Sequence, residues 1–170
     1  MIKSALSILF YLISISTFAQ NYWVRHDAGG DFLIPWNDKI VTADTYDGNI
    51  YLHNADGEII ENYSKKHNIT FNRIYDIDVS DTHLWMATDK GIVKMDDNSY
   101  QLFNVDGKIA GGVAVSPDGV IYAGNGDGLY QLIGQQFQLI NDTEPVTLME
   151  YADKLYALNN GAFRVSEGSF

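Results

Sequence analysis

The side chains able to carry out chemistry are few and scattered. His26, His53, His67 and His83 stand far apart, with no spacing that would set two of them on one metal ion. No cysteine is present to act as nucleophile or zinc ligand, and no His-Glu-x-x-His, phosphate loop or Gly-x-Ser-x-Gly occurs. Asp76, Asp78 and Asp81 offer oxygen ligands of the kind calcium takes. Asp76 and Asp78 alternate with apolar residues, as along a strand, and no EF-hand glycine or closing glutamate follows, so no metal is expected. Gly124-Asn125-Gly126-Asp127-Gly128 is glycine-rich, but it joins two strands and its third glycine comes too early for a dinucleotide fingerprint. It reads as a hairpin turn. The expectation is a protein that is not an enzyme and uses no cofactor.

Charge narrows the partners. The 170 residues include 22 acidic and 11 basic ones, for a net charge of -11. Nucleic acid is excluded as a partner of this segment, because polyanion binding draws on clustered Lys and Arg, and the one basic pair is Lys65-Lys66. Anionic membrane surfaces are disfavoured for the same reason.

Residues 1–19 read as a signal peptide. Lys3 supplies the positive start, Ala5 to Phe18 form an apolar run broken only by serines and Thr17, and Thr17 and Ala19 are the small residues a signal peptidase reads. An uncleaved anchor is the alternative, although the run is shorter than the about 20 apolar residues a membrane span needs. The expected location is therefore outside the cytoplasm, periplasmic or at the cell surface. An exported chain without cysteine relies on packing in place of disulfides.

Residues 20–170 must then supply that packing, and their pattern is strands and turns. Runs of four to seven residues rich in Ile, Val, Tyr and Leu alternate with Asp-Gly or Asn-Gly turns at Asp47, Asp56, Asp106, Asp118, Asp127 and Asn160. No stretch after residue 20 keeps an apolar 3.6-residue period over the length of an ordinary helix. The fold class is all-β.

The pattern also repeats. Trp85 and Tyr122 are 37 residues apart, as are Gly91 and Gly128, and Tyr156 follows Tyr122 by 34. Each copy divides into strands a to d. The first copy reads Phe32–Trp36, Lys39–Ala43, Asn49–His53 and Glu58–Tyr63. The second reads Ile74–Val79, His83–Thr88, Gly91–Met95 and Tyr100–Asn104, and the third Gly112–Val115, Val120–Gly124, Gly128–Leu132 and Gln136–Ile140. The fourth has Thr147–Tyr151, Lys154–Leu158 and Ala162–Val165 and no outer strand. Four strands on a period near 40 predict β-propeller blades, about three complete and a partial fourth. One blade cannot cover both of its faces, so Trp85 and Tyr122, in the middle of strand b, are expected to fill the gap between blades. The array is expected to be the N-terminal part of a larger propeller. In the alternative, a four-blade ring, Tyr22–His26 would be the last outer strand.

Leu84-Trp85-Met86-Ala87-Thr88-Asp89-Lys90-Gly91-Ile92-Val93-Lys94-Met95 resembles the two-component regulator propeller repeat, which runs approximately Leu-Trp-Ile-Gly-Thr, two variable residues, Gly-Leu, a basic residue and an aromatic. Ala87 replaces the family's glycine and Met95 its aromatic, and the third copy keeps Ile121-Tyr122-Ala123-Gly124 and Gly128-Leu129-Tyr130. The resemblance implies an extracytoplasmic module that binds or relays, commonly the input portion of a periplasmic sensor that detects glycans. Ligands of such propellers gather on the face formed by the b–c and d–a loops. The candidate ligand-binding residues on the b–c loops are Asp44, Asp89, Lys90, Asn125, Asp127 and Asn159, which can bond sugar hydroxyls. The Asx residues also suit plain hairpin turns, whereas a turn does not require the charge of Lys90. Two other functions stay open: a secreted propeller presenting a face to an envelope protein, and a lyase-type propeller with His83 or His53 as base at its centre.

Overall fold

The computed structural model describes residues 32–80, 82–105, 110–142, 147–151, 154–159 and 162–166. The expected signal peptide, the Tyr22–His26 strand, Asp81 and the Asp106-Gly107 and Asn160-Gly161 turns lie outside the described residues.

Among the described residues fifteen strands form four antiparallel sheets, each a simple meander. Blade 1 comprises β1 (Phe32–Trp36), β2 (Lys39–Ala43), β3 (Ile50–His53) and β4 (Ile59–Asn62). Blade 2 comprises β5 (Ile74–Val79), β6 (Leu84–Thr88), β7 (Gly91–Met95) and β8 (Tyr100–Phe103). Blade 3 comprises β9 (Ala110–Val115), β10 (Ile121–Asn125), β11 (Gly128–Ile133) and β12 (Gln136–Asn141). The fourth sheet has three strands, β13 (Thr147–Tyr151), β14 (Lys154–Asn159) and β15 (Ala162–Ser166), and β13 packs against β9 and β10. This is the β-propeller architecture the repeat predicts, with three four-stranded blades and a three-stranded one.

The expected and observed strands agree to within two residues at each end, with one departure. Tyr63 opens a single helical turn, α1 (Tyr63–Lys66), where the repeat places the end of strand d. Asn62 caps this turn, its side chain accepting from the Lys65 N–H. The turn is fixed from below by Ser64, whose hydroxyl accepts from Ile50 N at 2.6 Å and donates to Gly48 O at 3.0 Å.

Strand b shows why the units must pack side by side. All five residues of β6 are buried, because both faces of the strand are covered. Leu84 and Met86 join Trp36, Val41, Ile50 and Leu52 in the seam with blade 1. Trp85 and Ala87 turn the other way and meet Val113, Ile121, Ala123, Tyr130 and Phe137 of blade 3. Trp85 thus fills the gap between blades, its ring 5.8 Å from that of Phe103. Tyr122, its counterpart in β10, belongs to the smaller cluster with Ala114 and Leu129 on blade 3's opposite face.

The repeated glycine has a steric origin. Gly91 and Gly128 open β7 and β11 with φ +134° and +145°, where L side chains are strained. A methyl group on either would also collide with the carbonyl oxygen ending the neighbouring outer segment, that of Phe103 or Asn141. The outer strand can fold back on strand c only where no side chain intervenes.

Candidate ligand-binding face

The b–c turns are built alike, and the same position shapes each of them. In blade 1 the Asp44 carboxylate accepts from Tyr46 N at 2.7 Å and Asp47 N at 3.0 Å. In blade 2 the Thr88 hydroxyl takes the Lys90 N–H at 3.2 Å and donates to Gly91 O at 2.8 Å. In blade 3 the Asn125 side-chain oxygen accepts from Asp127 N at 2.7 Å and Gly128 N at 3.1 Å. These are Asx- and Ser/Thr-type turns, so the acceptor oxygens of Asp44 and Asn125 are engaged within the fold. Asn125 is 3% exposed, and its buried side-chain N–H₂ has no partner among the described residues.

The other candidates differ in what remains available. Asp89 accepts from Asn72 N at 2.9 Å and Arg73 N at 3.2 Å, tying its turn to the segment that enters β5. Lys90 is exposed and makes no ion pair among the described residues. Asp127 is half-buried and takes part in a further interaction of its own. Asn159 ends β14 opposite Ala162. All six therefore stand at the b–c end of successive blades. The bonds of Asp44, Asp89 and Asn125 tie each to its own blade. Two clefts lie elsewhere and contain none of the six. One of about 660 Å³ runs between the outer strands of blades 2 and 3, lined by Gln101, Leu102, Asn104, Gln135 and Gln136 above Phe103 and Phe137. Another, of about 560 Å³, is apolar and lies on blade 1 beside Leu33, Pro35, Ile40 and Ala55.

The histidines considered for a lyase-type centre are placed apart. His53, in β3, has Nε2 2.9 Å from Thr42 Oγ1 and Nδ1 3.1 Å from Gly57 O. His83 sits at the a–b turn of blade 2 beside Thr82, and burial together with the nearby Lys94 lowers its pKa. Among the described residues no three His, Asp or Glu side chains come together as a metal would require.

Asp76 and Asp78 turn out to have a part that the sequence left unread. Both β5 and β9 are inner edge strands of their sheets, so their outward N–H groups lack a ladder partner. Asp76 accepts from Ile77 N through Oδ1 and from Val113 N through Oδ2, each at 3.0 Å. Asp78 does the same with Val79 N and Val115 N, each at 2.7 Å. Two carboxylates thus clip two sheet edges together. Burial pushes the Asp76 pKa up to about 6 and raises that of Asp78, because the N–H donors offset only part of the lost hydration.

Neither a known protein family nor a curated protein matches this sequence. Solved structures do match in fold. The extracellular domain of a hybrid two-component system of B. thetaiotaomicron superposes with a TM-score of 0.61 at 14% identity, over 74% of this chain and 20% of that domain. The computationally designed protein Ika4 gives 0.62 at 14% identity, over 84% of this chain and 92% of the design. A Bacteroides fragilis protein described as exported gives 0.53 at 9% identity, over 82% of this chain and 47% of that one. At these identities the likeness concerns the fold alone. This chain spans a fifth of the two-component domain's length.

Proposed function

We propose that this chain is a non-enzymatic ligand-binding module of an exported protein, the input portion of a periplasmic two-component-type sensor, and that its ligand is a glycan. The fold it shares with an extracellular two-component domain and with a protein described as exported supports that setting. The observation that carries the reading is Lys90. Its charge neither caps a turn nor meets an acidic partner among the described residues, in a chain of net charge -11. An exposed ammonium of this kind keeps its hydration and side-chain freedom in the free protein and stands available to a ligand. The test is calorimetric titration with a panel of oligosaccharides. Lys90→Ala is expected to weaken binding of a confirmed ligand about tenfold, the worth of one charge-assisted hydrogen bond, with an unchanged melting temperature. Equal affinity in the variant refutes the site.

A second reading, a propeller that presents a face to an envelope protein, is favoured by one specific feature. Leu33 is 48% exposed beside the apolar cleft of blade 1, on the face turned away from blade 2. Substituting aspartate at Leu33 would then abolish partner capture and leave oligosaccharide binding intact.

A further inference from the structure

We propose that the inner seam between blades 2 and 3 is an acid-operated latch, in which protonation of the Asp76 carboxyl releases the Val113 amide of the neighbouring blade. The geometry behind this is the double clip. Each carboxylate spends one oxygen on its own strand's N–H, at Ile77 or Val79, and the other on the facing strand's N–H, at Val113 or Val115. The facing pairs are 37 residues apart, one repeat period, so side chains here replace the backbone ladder that two separate sheets cannot form. A carboxylate can serve both N–H groups at once. A carboxylic acid serves them less well, since one of its oxygens has become a hydroxyl, a donor and a weak acceptor.

Asp76 is the weaker half of the clip. Its two bonds are 3.0 Å long against 2.7 Å for both bonds of Asp78. Both N–H groups it serves lie on inner edge strands; that of Ile77 is held beside the carboxyl by its own chain, whereas that of Val113 comes from the neighbouring blade. The ionisable neighbours are few. Asp78 lies on the same strand and adds its charge. The facing segment of β9, residues 111 to 115, carries no titratable side chain. On β6 the cross-strand residues are Trp85 and Ala87, and Lys94 of β7 lies farther out, 5.5 Å from the Trp85 ring centroid. Among the described residues no cation is bonded to either carboxylate, and burial is what holds the Asp76 pKa near 6.

The sign of the linkage sharpens the expectation. Folded Asp76 binds its proton more tightly than the unfolded chain does, so between about pH 4 and 6 its contribution to global stability falls as pH rises. Acid thus relieves a buried charge while loosening one local bond. The two effects separate in experiment. Amide proton shifts and exchange rates of the ¹⁵N-labelled chain are followed between about pH 4.5 and 7.5. The Ile77 and Val113 amides are expected to titrate together with a midpoint near 6. Exchange at Val113, corrected for its intrinsic pH dependence, is expected to rise about tenfold on the acid side. The Asp76→Asn variant removes that midpoint. A midpoint near 4 for these amides, or equal titration of the Val113 and Val115 amides, overturns the latch. The wild-type titration decides the matter even if the variant folds poorly.

Discussion

Replacing Gly91 by alanine isolates the close approach of strand d. Two costs add at this position. At φ +134° an L residue is strained by about 1–3 kcal/mol. The new methyl also meets the Phe103 carbonyl oxygen, which is fixed by the pairing of Phe103 with Ile92, and relieving such an overlap costs about 1–3 kcal/mol more. Gly119 provides the internal control. Its φ is +81°, but nothing lies within 4 Å of a methyl placed there, so Gly119→Ala carries the backbone cost alone, about 1–2 kcal/mol. Urea unfolding followed by tryptophan fluorescence is the assay, with unchanged m-values required for the comparison. Gly91→Ala is expected to lose about 1–3 kcal/mol more than Gly119→Ala, the worth of the overlap, and Gly128→Ala to behave like Gly91→Ala. Equal losses at positions 91 and 119 would show that backbone conformation explains the repeated glycine and that the carbonyl contact is immaterial.

Trp85→Ala is expected to cost about 3–5 kcal/mol, because the ring is 4% exposed and fills the seam between blades 2 and 3; Trp85→Phe should recover most of that loss in the same unfolding assay. The Tyr63 hydroxyl reaches Asp96 O at 2.8 Å and Ser99 O at 2.6 Å, so Tyr63→Phe is expected to cost about 1 kcal/mol, the worth of one hydrogen bond, since Ser99 O keeps the Asp96 N–H. Burial, with the nearby Asp96 and Glu61, raises the Tyr63 pKa, so its contribution is present below about pH 10 and is lost as pH rises above that unfolded value. A wild-type melting temperature that falls above pH 10 no faster than that of Tyr63→Phe contradicts this. Asp97→Asn, which removes the 2.7 Å ion pair to Lys39 between blades 1 and 2, should cost less than about 1 kcal/mol, and the loss should vanish in high salt.

The elements were legible where turn chemistry was local. Strands β1, β2, β5, β7 and β13 begin and end where the glycine, proline and Asx signals put them, since those residues favour turns through local effects, free φ, fixed φ or a bond to their own backbone. The role of Trp85 followed equally well, because the alternation around it, Leu84 and Met86 against Trp85 and Ala87, states that both faces of the strand are covered. Tyr63 was misplaced for an instructive reason. The strand pattern runs on through Ile59 and Ile60, whereas Asn62 caps a helical turn whose support comes from Gly48 in the b–c turn and Ile50 in β3. The same limit hid the part played by Asp76 and Asp78. Their alternation with apolar residues was visible and pointed to a strand. Their partners, the Val113 and Val115 amides, lie one repeat away and leave no mark on residue type. At the candidate face, the capping roles of Asp44 and Asn125 suit the turn reading, while the unpartnered nitrogen of Asn125 depends on burial that no short stretch of sequence reveals.

The contrast between the two described seams has a mechanical consequence. Between blades 1 and 2 the inner strands meet through hydrocarbon, from Trp36 to Met95, and the directional bonds of that seam lie away from them, at Lys39–Asp97 and at Tyr63. Between blades 2 and 3 the inner edges carry directional pins, which resist shear until they part and then yield at once. The side chains at the positions equivalent to Asp76 and Asp78, Phe32 and Ile34 in blade 1 and Gly112 and Ala114 in blade 3, cannot form such pins. A repeat with one backbone template can therefore have its stiffness set seam by seam, through two side chains on each inner strand.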